Sequence, residues 1–70
     1  MRYEVHWVKL DQDNKHGVFS TLEEAKQSVL DWWKQHNFTP PYIREWKKDN
    51  ITIWDYGSHI CFYEFHEVLI

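Results

Sequence analysis

A single, sharply bounded helix limits the architectures open to this chain. Ser20-Thr21 offers a hydroxyl cap, and Glu23 or Glu24 follows at the spacing of a reciprocal capping box. Leu22, Ala25, Val29, Trp32 and Trp33 then form one apolar stripe at a period of about 3.6 residues. Asn37 tolerates the left-handed conformation that ends a helix, Phe38 is placed to return onto Trp33, and Thr39-Pro40-Pro41 blocks continuation. The spacing predicts a helix over 21–36. No other segment repeats that period, so the layer covering the stripe must be a sheet.

The remaining segments read as strands. Tyr3, Val5 and Trp7 alternate with Glu4 and His6, which predicts a strand over 2–10 followed by a loop from Asp11 to Gly17. Val18-Phe19 is a candidate short return strand. After the prolines come 42–47, 51–56 and 59–69, separated by Asp49-Asn50 and Gly57-Ser58, dipeptides suited to two-residue turns. The expected fold is α+β in two layers: one helix packed on an antiparallel sheet of about four strands, in the order β-α-β-β-β, with 18–19 as a short extra strand. No repeat, low-complexity run or linker divides it, so 1–70 is read as one small domain. The last strand is long and apolar, which calls for a central position or pairing in a dimer.

Two-residue turns fix a register, because residues opposite one another share a sheet face. Positions 46 and 44 then oppose 53 and 55, which oppose 62 and 60. One face collects Tyr42, Trp46, Ile51, Ile53, Ile60 and Phe62, with Arg44 opposite Asp55 as an ion pair. Being mostly apolar, it is assigned to the helix, so that Trp32, Trp33, Trp46, Phe62 and Trp7 form the core. The other face collects Ile43, Glu45, Lys47, Thr52, Trp54, Tyr56, His59, Cys61, Tyr63 and Phe65. With one helix available, it has no cover. Trp54, Tyr56, Tyr63 and Phe65 are therefore read as an exposed aromatic patch of a size that marks an interaction site, with Glu45, Lys47 and His59 at its rim.

Composition supports folding without staples. Leu, Ile, Val and Phe number 18 of 70, above the roughly one-fifth below which charged chains stay disordered. The lone Cys61 forms no internal disulfide, so the five Trp, four Tyr and four Phe supply the buried area instead. The formal net charge of −3 weakens attraction to nucleic acid or anionic membrane. There is no apolar N-terminal run of signal-peptide type and no 18-residue apolar stretch, which points to a cytoplasmic protein.

Motifs for chemistry are weak. His59 and Cys61 share a face and His6 could join them, but no metal-binding spacing is present, and no metal or other cofactor is expected. Glu23-Glu24 suit the positive end of the helix dipole without catalysis. Asp11, Asp13 and Asn14 lack the Gly and Glu positions of a calcium loop and read as a solvated loop. A lone strand cysteine is more often a small hydrophobe than a nucleophile. The chain is expected to be a non-enzymatic protein-interaction module that self-associates or binds a protein partner through the aromatic face. The alternative is single-stranded nucleic-acid binding through the same rings plus Arg44, Lys47 and Lys48.

Overall fold

The computed structural model describes residues 1–58 and 60–69. Its elements are β1 (Arg2–Lys9), β2 (Gln12–Phe19), α1 (Leu22–Gln35), β3 (Arg44–Lys48), β4 (Ile51–Asp55) and β5 (Cys61–Val68). One helix packs on one face of a five-stranded antiparallel sheet of order β2-β1-β5-β4-β3. The two-layer α+β architecture is the expected one. The fifth strand is larger than expected: β2 takes in Asp13 and Asn14, which the sequence suggested were loop. Its sequence, QDNKHGVF, has no alternation to betray a strand. It exists because β1 pairs with it through a two-residue connection, Lys9 opposite Gln12, with exposed Leu10 in the left-handed region at φ 52°.

The helix ends are built as the sequence indicates. Thr21 Oγ1 accepts the Glu24 backbone N–H at 3.1 Å, closing the N-cap. At the other end Asn37 adopts φ 53°, Asn37 N–H donates to the Lys34 carbonyl at 3.2 Å, and Phe38 N–H donates to the Trp33 carbonyl at 2.8 Å. That is a Schellman motif, sealed by the edge-to-face contact of Phe38 on Trp33 at 5.9 Å. Ala25, Val29 and Trp33 are buried. Trp32 is 44% exposed, contrary to its expected core position. At about 100° per residue it lies some 50° from the centre of the stripe, on its shoulder.

The β3–β4 hairpin has the expected register, with Arg44 opposite Asp55 and Trp46 opposite Ile53. Asp49, rather than Asn50, carries the positive φ of its turn. The β4–β5 connection is two residues longer than a two-residue turn at Gly57-Ser58 allows: Trp54 opposes Tyr63 and Ile53 opposes Glu64. The displacement is even, so each residue keeps its predicted face while its partner changes. β5 is central, flanked by β1 and β4, which protects its long apolar run from open-edge pairing.

The helix covers the opposite face from the one expected. Trp54, Tyr63 and Phe65 are 6%, 4% and 1% exposed and form the core with Val5, Ala25, Val29 and Trp33. The deciding strand is β1. It lies against β5 with Val5 opposite Phe65 and Trp7 opposite Tyr63, while Glu4 and His6 oppose His66 and Glu64. Adding β1 places Tyr3, Val5 and Trp7 beside the rings and loads the other face with charge. Burying the ring face removes more apolar area from water, at roughly 25 cal/mol per Å².

Candidate functional site

The residues expected to form an exposed patch therefore have structural work. Trp54 stacks on Trp33 at 5.9 Å and meets Phe65 edge-on at 5.0 Å. Tyr63 contacts Trp33 at 5.6 Å and Tyr56 at 5.4 Å. Tyr56 is half-buried and accepts the Trp7 indole N–H at 2.9 Å. Burial pushes its phenol pKa up to about 12 against the lowering effect of that bond, and burial likewise raises that of Tyr63. Glu45 accepts the Trp54 indole N–H at 2.7 Å and pairs with Lys26 of the helix at 2.7 Å, pinning helix to sheet. Lys47 lies 3.7 Å from Glu67. His59 lies outside the described residues.

Lys26, followed by the Trp54 N–H, holds the Glu45 carboxyl below the usual carboxylate range. A depressed folded-state value means that this contribution to stability is complete above the unfolded value, near 4.5, and is lost as pH falls through the lower folded value. Urea denaturation between pH 6 and 3 should show that loss. E45Q is expected to reduce the acid dependence by less than about 1 kcal/mol, because the pair is partly exposed. Some dependence remains, since the His6 hydrogen bond also holds Glu4 low.

The surface left open is the other side of the sheet. Trp46 is 44% exposed, on the wholly exposed edge strand β3, and its ring meets Phe62 edge-on at 6.5 Å. The cross-strand pairs arrange this face in rows. One row runs Lys48, Ile51, His66, Glu4, Val18; the next runs Trp46, Ile53, Glu64, His6, Lys15. Beyond them lie Arg44 opposite Asp55 and, further across, Phe62 opposite Val8, itself opposite Asp13. Lys48 and Arg44 thus flank Trp46 on β3, Ile51 and Ile53 with Asp55 lie on β4, Phe62 shares β5 with Glu64 and His66, and Glu4 and Asp13 stand on β1 and β2 beside Lys15.

At the acidic side the rings of His6 and His66 lie 4.4 Å apart. His6 Nδ1 bonds Asp13 at 2.7 Å and its Nε2 bonds Glu4 at 3.3 Å, while His66 Nε2 bonds Glu64 at 2.8 Å. Each of these ring nitrogens is already directed at a carboxylate. Cys61 projects from the other face, so His6 does not join it. Among the described residues no group of three or more His, Cys, Asp or Glu is arranged to hold a metal ion.

Of the basic set considered for nucleic acid, Arg44 is bonded to Asp55 at 2.8 Å, the pair expected from the register, and Lys47 faces Glu67. Arg44 lies on the open face and Lys47 on the helix-covered face where the rings are buried, so the basic groups and the rings do not form one exposed surface. Trp46 and Phe62 are the site residues the sequence placed in the core instead. Among the described residues no helix is long and apolar enough to cross a membrane. The chain matches no protein family, no curated protein and no solved structure.

Proposed function

We propose that this chain is a non-enzymatic cytoplasmic interaction module whose contact surface is the uncovered sheet face and whose partner is a second copy of itself. The observation carrying the reading is the row structure of that face. A two-fold axis laid along the central strand β5 sets β3 of one copy over β2 of the other, and β4 over β1, without shifting the rows. Lys48 then comes over Val18 with Glu4 on the neighbouring strand, Arg44 meets Asp13, and Trp46 comes over Lys15 as a cation–π pair. The apolar residues Ile53 and Phe62 fall near the axis. Three strands of eight residues and two of five lie side by side, at roughly 3.3 Å per residue and 4.8 Å per strand. That is about 500 Å² in projection, near the lower end for a specific interface of roughly 600 Å² per partner.

Sedimentation equilibrium over a wide concentration range tests the reading. The expected result is a rise from one to two chain masses, weakened by added salt. W46K removes the exposed ring and sets a lysine over Lys15, and it should raise the dimer dissociation constant at least about 30-fold, in keeping with a tryptophan hot spot. The far-UV circular dichroism should not change. A wild-type chain that stays monomeric at millimolar concentration contradicts self-association. Salt-sensitive binding of a single-stranded oligonucleotide by that monomer would favour the phosphate-contact reading instead.

A further inference from the structure

A second feature lies on the helix side, away from the open face. Between the C-terminal turn of α1 and the β1–β2 hairpin is a pocket of about 450 Å³, within the range of roughly 300–1,000 Å³ typical of small-molecule sites. Its walls are rings. Trp33 and Tyr63 belong to the core and bring it to the pocket floor. One wall is the stack of Trp32 on His36 at 4.1 Å, extended by His16 edge-on to Trp32 at 5.6 Å. Another is Trp7 with Tyr56, joined by the 2.9 Å hydrogen bond from the indole N–H to the phenol oxygen. Phe38, carried there by the Schellman turn, closes the end. Half-exposed Trp32 thus acquires a role the core does not give it.

The polar lining decides the class of ligand. No carboxylate lines the pocket among the described residues. The neighbouring Asp13 points to the opposite face, where His6 holds it at 2.7 Å. Asn14, Lys15, His16 and His36 supply the polar edge. The Lys15 ammonium leans toward Glu4 at 3.7 Å, which leaves the amide of Asn14 and the two imidazoles as the groups closest to the rings. His36 Nδ1 donates to the Trp32 carbonyl at 2.9 Å, which fixes the ring and leaves Nε2 of the neutral imidazole as an acceptor rather than a donor. Flat ring walls edged by the Asn14 amide, the His16 imidazole and the Lys15 chain, with no anion, suit a flat ligand bearing a negative group. A cation would find π faces here but no counter-charge.

We propose that this pocket binds a planar aromatic acid, its ring between the Trp32–His36 wall and the Trp7–Tyr56 wall and its carboxylate at Asn14 and His16, on the side of the Lys15 chain. The site shares only Lys15 with the sheet face used for self-association.

Three probes with one ring system test it on the full ¹⁵N-labelled chain: 1-naphthylacetate, 1-naphthylmethanol and 1-naphthylmethylamine. The indole N–H resonances report position. The acetate is expected to shift those of Trp7, Trp32 and Trp33 while leaving Trp46 unmoved, and to bind at least tenfold tighter than the amine. W32A should weaken the acetate and the alcohol alike by about tenfold or more, as loss of a stacking ring does. Because that side chain is half exposed, the variant should keep its fold. H16Q should remove part of the preference for acetate over alcohol and leave alcohol binding unchanged. No shifts at millimolar acetate would overturn the proposal. So would binding of the amine as tight as the acetate, or shifts centred on Trp46, which would place the naphthyl ring on the open sheet face.

Discussion

W54A is expected to remove most of the stability of this chain. Trp54 is 6% exposed, stacked on Trp33 and edge-on to Phe65, and its indole N–H donates to Glu45. Truncating a buried tryptophan costs about 3–5 kcal/mol through lost transfer energy and the cavity left behind. Seventy residues at roughly 0.05–0.15 kcal/mol each hold only about 4–10 kcal/mol in total. The variant should therefore show a urea midpoint lowered by half or more, or lack a cooperative transition. W46A, at an exposed edge position, should cost less than about 1 kcal/mol. Equal costs for the two substitutions would mean that the faces are wrongly assigned.

G57A is expected to have the second-largest effect. Gly57 sits at φ 98°, where an L side chain is strained, and a Cβ built there would lie 2.7 Å from Pro41 Cγ. The pyrrolidine ring cannot swing aside as a flexible side chain would. Backbone strain of about 1–2 kcal/mol and an overpacking cost of about 1–3 kcal/mol act together, giving a loss of roughly 2–5 kcal/mol. G17A is the control. Its φ is unstrained, and its Cβ would meet the edge of the Phe19 ring at 3.0 Å, so a loss of about 1 kcal/mol is expected in the same urea titration.

The helix was readable from sequence nearly residue by residue, because its boundary signals are local: Thr21 with Glu24 at one end, Asn37 with Phe38 at the other. The Arg44–Asp55 pair was equally legible, since a two-residue turn fixes a register over a few residues. β2 was not, because its strand conformation comes from pairing with β1 and nothing in QDNKHGVF prefers it. The choice of covered face failed for a related reason. It depends on β1 lying against β5, a contact between opposite ends of the chain that no local pattern encodes. Leaving β1 out, the count of apolar residues favoured the face of Ile51, Ile53 and Phe62. Trp7 and Val5 beside Tyr63 and Phe65 reverse it. The pocket was hidden by the same logic, although Trp32 and His36, four apart on the shoulder of the helix stripe, were a visible sign of a ring pair outside the core.

Hydroxyl-radical footprinting read by mass spectrometry across a concentration series tests both the face assignment and the use made of it. At low concentration Trp46 and Trp32 should be oxidised readily, and Trp54, Tyr63 and Phe65 should be protected. As concentration rises, Trp46 and Phe62 should become protected while Trp32, on the helix side, continues to react. Oxidation of Trp54 and Tyr63 as fast as Trp46 would contradict the covered face, and reactivity of Trp46 that does not change with concentration would contradict the dimer.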